Sequence, residues 1–173
     1  MTKLHQIQVK FTPLEDRLLL RVQTEDRSEF RFWLTRRFVK TLWPVLVKML
    51  AADRTVRSQS DPQARQAVLS FQHQAAVERS DFETKYRQAV AATPLGEAPV
   101  LLYDFALAER ALHPVLCLRP GQGPGIELTL TGTMLHSLCH LLADAVAGAG
   151  WDMRLKIGTS EETLRPPSSE RLN

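Results

Sequence analysis

An apolar pattern that recurs 96 positions along the chain constrains the fold more than any other feature. With that shift the stretch from Leu18 to Leu46 lies over Pro114 to Leu142 without a gap. Leu20 and Val22 meet Leu116 and Leu118, and Phe30, Phe32 and Leu34 meet Ile126, Leu128 and Leu130. Thr35 meets Thr131, and Leu42 and Leu46 meet Leu138 and Leu142. Upstream, Ile7, Val9 and Phe11 fall over Tyr103, Phe105 and Leu107. Few identities survive the shift, so what recurs is periodicity.

Two periods are present in each copy. In Glu29 to Thr35, Phe30, Phe32 and Leu34 alternate with Glu29, Arg31, Trp33 and Thr35, the spacing of a strand with two unlike faces. Arg17 to Gln23 alternates in the same way, and the polar Glu25-Asp26-Arg27-Ser28 between the runs predicts a hairpin. Thr35 is placed to cap a helix, since its hydroxyl can accept an otherwise unpaired backbone N–H. Phe38, Leu42, Val45, Leu46 and Met49 then follow at helical spacing. Pro44 inside that run removes one backbone hydrogen bond and predicts a kink.

The predicted fold is α+β: a tandem duplication of a βββα unit, with antiparallel sheets side by side, helices on one face, and a helical arm inserted between the repeats. The first unit spans 1–52. Residues 53–95 form a loop and the arm. Arg54 to Ser60 is polar, lacks periodicity and predicts a mobile connection that trypsin cuts first. Asp61-Pro62 opens a helix whose apolar face is carried by Val68, Phe71 and Ala75 and continues through Phe82, Tyr86 and Val90. A second helix start at Ser80 and Glu83 would divide the arm near Arg79. The second unit spans 96–157, with an extra C-terminal strand over Trp151 to Ile157. The polar tail 158–173, with Pro166-Pro167, is expected to be disordered.

A chain of 173 residues with 44% hydrophobic content can bury a substantial core without metals or disulfides. The two cysteines, Cys117 and Cys139, lie in apolar runs and read as buried thiols. No run has the length of a membrane span and no secretory leader is read at the start, so no membrane association and a cytoplasmic location are expected. Net charge is uneven. Residues 1–60 carry 12 Lys/Arg against 6 Asp/Glu, and residues 61–173 carry 10 against 13. Such asymmetry marks a polyanion-binding half or two halves that attract each other.

Three clusters bear on chemistry. Lys10, Arg21, Arg31 and Trp33 fall on the sheet face opposite the helix, where cations and an aromatic ring could hold a nucleic-acid single strand or a protein partner. The second repeat places Cys117, Glu127 and Thr129 at the positions of Arg21, Arg31 and Trp33. Next, His136 and His140 share a helix face with Cys139 between them, the spacing of two zinc ligands. His113 and Cys117 would have to complete that set, and solvent-exposed histidines are the expectation. Lastly, Pro120 to Gly125 is glycine-rich but lacks the Gly-Lys-Ser/Thr ending of a phosphate cradle, and reads as a hairpin turn.

In topology the duplicated units resemble the Pur and Whirly single-stranded nucleic-acid binders, whose repeats usually carry four strands. The chain has no sequence motif of those families. The functional expectation is a non-catalytic binding or assembly protein acting through the polar sheet face or the helical arm, with a protein partner or self-association into a homo-oligomer. Single-stranded nucleic-acid binding is the alternative, and an enzyme of unidentified chemistry the third. No cofactor and no metal are expected.

Overall fold

A computed structural model describes residues 4–82, 86, 89–110 and 113–158. Among the described residues the fold is α+β, with one six-stranded mixed sheet and four helices. In chain order, β1 (Leu4–Thr12), β2 (Arg17–Thr24) and β3 (Glu29–Leu34) lead into α1 (Arg36–Ala51). A single turn α2 (Arg54–Arg57) and the longer α3 (Pro62–Arg79) follow. Then come β4 (Val100–Arg110), β5 (His113–Pro120), β6 (Ile126–Thr129) and α4 (Gly132–Ala149).

Strand order in the sheet is the order in the chain. Strands β1 to β3 pair antiparallel, as do β4 to β6. The two halves join through parallel pairing of β3 with β4, at Phe32 with Val100 and Trp33 with Leu101. Two separate sheets were expected side by side; backbone hydrogen bonding fuses them into one.

The alternation reading of β2 and β3 holds. Leu18, Leu20, Val22, Phe32 and Leu34 are buried on one face, as are Leu116, Leu118 and Leu128 on β5 and β6. Against this face lie α1 and α4, in contact with each other. Each helix reaches the other half of the chain: α1, which follows β3, packs on β4, and α4, which follows β6, packs on β1. Phe38 of α1 meets Phe105 of β4 edge to face, with ring centroids 5.7 Å apart. Trp151, just after α4, meets Phe11 of β1 at 6.1 Å and donates its indole N–H to Asp16 at 2.9 Å. The core is therefore shared by both halves.

Both helices begin at a threonine cap. Thr35 Oγ1 accepts from Phe38 N at 3.1 Å, and Thr131 Oγ1 from Met134 N at 3.5 Å. Thr35→Ala and Thr131→Ala should each lower stability by about 0.5–2 kcal/mol in urea unfolding, the usual worth of a cap. The helix α4 ends at Gly150, whose left-handed φ of 64° favours glycine. In the β5–β6 turn a Cβ on Gly125 would stand 2.3 Å from the Leu118 carbonyl oxygen, so only glycine fits there.

Several expectations are corrected. Pro44 lies inside the continuous helix α1, on its exposed side, with helical residues on both sides of it. The connection after α1 contains the turn α2, capped by Asp53 and anchored by a buried Val56. Arg65 Nε also donates to Gln59 O and Gln72 Nε2 to Asp53 Oδ1, tying this connection to α3. α3 stops at Arg79, near the predicted division of the arm; Val68 packs against the core as expected, but Phe71 projects into solvent at 73% exposure. A second helix starting at Ser80 is not formed at the described residues 80–82, and Glu83 lies outside them. Residues 151–157 form no strand; Trp151 is buried, and Met153, Leu155 and Ile157 pack against the core as irregular chain. The predicted tail lies outside the described residues from position 159 onward. Among the described residues no helix is long and apolar enough to cross a membrane.

Candidate functional site

The sheet face opposite α1 and α4 is organised in rows by strand register. Gln8, Arg21 and Arg31 form one row across β1, β2 and β3. Lys10, Leu19, Trp33 and Leu101 form a second row, which continues onto β4. All four residues singled out from the sequence, Lys10, Arg21, Arg31 and Trp33, thus lie on one face.

The first row is centred on a residue that the sequence did not single out. Glu29, at the start of β3, is fully covered, with 0% of its side chain exposed. Arg21 donates to both of its carboxylate oxygens, at 3.1 Å from Nη2 to Oε1 and 3.0 Å from Nη2 to Oε2. Arg31 Nε donates to Oε1, and Tyr86 Oη donates to Oε2 at 2.9 Å. The Arg21 guanidinium also sits 4.2 Å from the centre of the Tyr86 ring and donates to Gln8 Oε1 at 3.4 Å. Burial alone would raise the Glu29 pKa. The donors Arg31, Tyr86 and Arg21 outweigh it and hold the carboxyl below its usual value. Burial and the neighbouring carboxylate push the Tyr86 phenol well above its usual value, so it stays a donor.

Backbone from the return segment straps this cluster down. Ala91 N donates to Arg27 O at 2.9 Å, and Glu29 N donates to Ala92 O at 2.8 Å. Gln23 Nε2 donates to Ala89 O at 3.3 Å, and Arg31 Nη1 to Glu97 O at 2.8 Å. A hollow remains, about 410 Å³ and open to solvent, lined by Leu19, Arg21, Arg31, Val90 and Pro99. Both arginines facing it share one carboxylate, which offsets one of their two charges. Lys10 is exposed at the far side of the face.

Beyond Lys10 the second row is apolar. Trp33 is half-buried between Leu19 and Leu101 in the register. Leu101 is 42% exposed and Tyr103, further along β4, is 80% exposed. The repeat aligns Tyr103 with Ile7, and Phe105 with Val9. A register shift in β4 between Leu102 and Asp104 breaks the alternation and leaves Tyr103 in solvent while Leu102 is buried. The signal was present in Val100-Leu101-Leu102-Tyr103-Asp104, where the apolar run is too continuous for a two-faced strand.

The helix cluster also departs from expectation. His136 is buried rather than exposed, packed between α4 and α3. Cys139 is buried, and burial pushes its thiol up to about 12, which keeps it protonated and a poor nucleophile. Cys117, expected to be buried, is only half-covered on β5 beside Glu127. Among the described residues no group of three or more His, Cys, Asp and Glu is arranged to hold a metal ion. Compared with known proteins, the chain matches no family model, no curated protein and no solved structure.

Proposed function

We propose that this protein is a non-catalytic assembly module that meets a protein partner through its outer sheet face, in the simplest case a second copy of itself. The observation that carries this reading is the outer-face apolar row Leu19, Trp33 and Leu101, with Leu101 42% exposed and Tyr103, two residues further along β4, 80% exposed. Large aromatic side chains at such a centre supply most of the binding energy in protein interfaces. A nucleic-acid backbone is less well served. Arg21 and Arg31 each donate to Glu29, which leaves Lys10 as the unpaired cation among the residues first singled out on this face.

We further read the chain as two copies of a βββα unit. Supporting this, β2 and β5 coincide under the 96-residue shift, β1 and β4 share their first residue, and the caps Thr35 and Thr131 correspond. The reciprocal packing of α1 on β4 and α4 on β1 has the same character. A cytoplasmic location remains part of this proposal.

Sedimentation velocity over a range of protein concentrations tests the assembly reading. The wild type should associate, and Tyr103→Glu and Leu101→Glu should each weaken association by at least about tenfold, roughly 1.4 kcal/mol. Both positions are exposed, so circular dichroism should stay native. A wild type that remains monomeric throughout removes the self-association form. Salt-dependent binding of a labelled single-stranded oligonucleotide by that monomer would replace it with the nucleic-acid alternative.

A further inference from the structure

The contact between α3 and α4 is unusual because histidines make it. His73 Nδ1 on α3 lies 3.0 Å from His136 Nδ1 on α4, with ring centroids 5.2 Å apart. His140, one turn further along α4, has its ring 6.4 Å from that of His73 and 4.8 Å from that of Phe82. Ser80 Oγ meets Ser137 Oγ at 3.0 Å. No ion pair joins the two helices among these contacts. The N-terminal half of α3 is held differently, by the buried Leu69, and just before His73 the side chain of Gln72 donates to Asp53 at 3.1 Å.

We propose that His73 and His136 form an acid-released latch, so that protonation of the pair frees the C-terminal half of α3 from α4. The reason is stoichiometric. An Nδ1···Nδ1 hydrogen bond needs one ring to donate and the other to accept, so at least one ring must be neutral. Two imidazolium rings would present two N–H groups to each other and two like charges at contact distance. The surroundings oppose the charge. Burial lowers the His73 pKa to about 4, with His136 and His140 adding to the effect. Burial also lowers that of His136, against the pull of the Asp53 carboxylate. Among the described residues, the charged groups that act on the pair from outside are His140 of α4 and Asp53 at the cap of α2.

The direction follows from linkage. Both pKa values are depressed in the docked state, so docking is strongest above the free-histidine value of 6.5. It weakens as pH falls from there toward about 4, by up to about tenfold per pH unit for each proton taken up on release. In the chain the freed half precedes Tyr86, the clamp on Glu29. The latch itself does not depend on what the outer sheet face binds.

Hydrogen exchange by NMR, corrected for intrinsic rates, tests it at about pH 7.5 and about pH 5. Protection of amides 74–80 should fall by at least about tenfold at the lower pH, while amides 64–70 and those of β2 keep theirs. His73→Leu and His136→Leu each remove one of the two titrating rings and should each reduce the pH effect, and the double variant should abolish it. Equal loss in either variant, or loss spread over the whole chain, would overturn the latch. Should a variant fail to fold, the His73 ring is titrated in the wild type by its carbon-bound proton shifts. A midpoint well below 6.5, coincident with the loss of protection, supports the proposal, and one at or above 6.5 overturns it.

Discussion

Glu29→Ala should destabilise the fold by about 3 kcal/mol, among the largest effects of any single polar substitution here. Removing one partner of a buried ion pair costs about 3–5 kcal/mol because the other charge is left uncompensated. The lower end applies, since Arg21 and Arg31 retain 16% and 28% side-chain exposure and can recover some hydration. Glu29→Gln should lose less, because an amide oxygen still accepts from one donor. The pH dependence has a definite sign. The folded-state pKa of Glu29 is depressed below its ordinary value of 4.5, so its contribution is present above that value. It is lost as pH falls through the folded value. Urea unfolding of wild type and Glu29→Gln should therefore differ most near neutral pH and converge in acid. A gap that stays constant with pH would mean that the carboxylate is not the paired species.

What the sequence showed of this fold is what short-range periodicity can carry. Alternation in Arg17 to Gln23 and Glu29 to Thr35 separated the core face from the outer face, because a strand buried on one side must repeat every two residues. Thr35 announced a cap through its hydroxyl and its place just before an apolar helical stripe. The junction of β3 with β4 was not legible. It rests on backbone pairing of Phe32 with Val100 and Trp33 with Leu101, and a backbone pair leaves no mark on either side chain.

The site was half legible for the same reason. Lys10, Arg21, Arg31 and Trp33 were placed on one face by counting. Their electrostatic state was not, because it depends on Tyr86 and on backbone from 89–97 arriving from far along the chain. A cation on a polar face looks available until its carboxylate is found. Glu29 was visible on that face but carried no sign that it would be wholly covered. The histidines were missed in the opposite direction. His136 matches Lys40 in the repeat, a solvent position, yet α3 lies over it. An inserted helix can bury one member of a repeated pair and leave the other exposed.

Phe32→Ala and Leu128→Ala test the core shared by the two halves. Phe32 is 0% exposed at the centre of β3, and Leu128 is 5% exposed in β6, on opposite sides of the parallel junction. Truncating a buried Phe costs about 3–5 kcal/mol and a buried Leu about 2–5, the lost transfer energy plus the cavity left behind. Both losses should appear in one cooperative urea transition with an unchanged slope, because α1 packs on β4 and α4 on β1. Neither half can lose its core contacts without the other. Two resolved transitions in either variant, or a loss under about 1 kcal/mol at either position, would mean that the halves fold as separate units around separate cores.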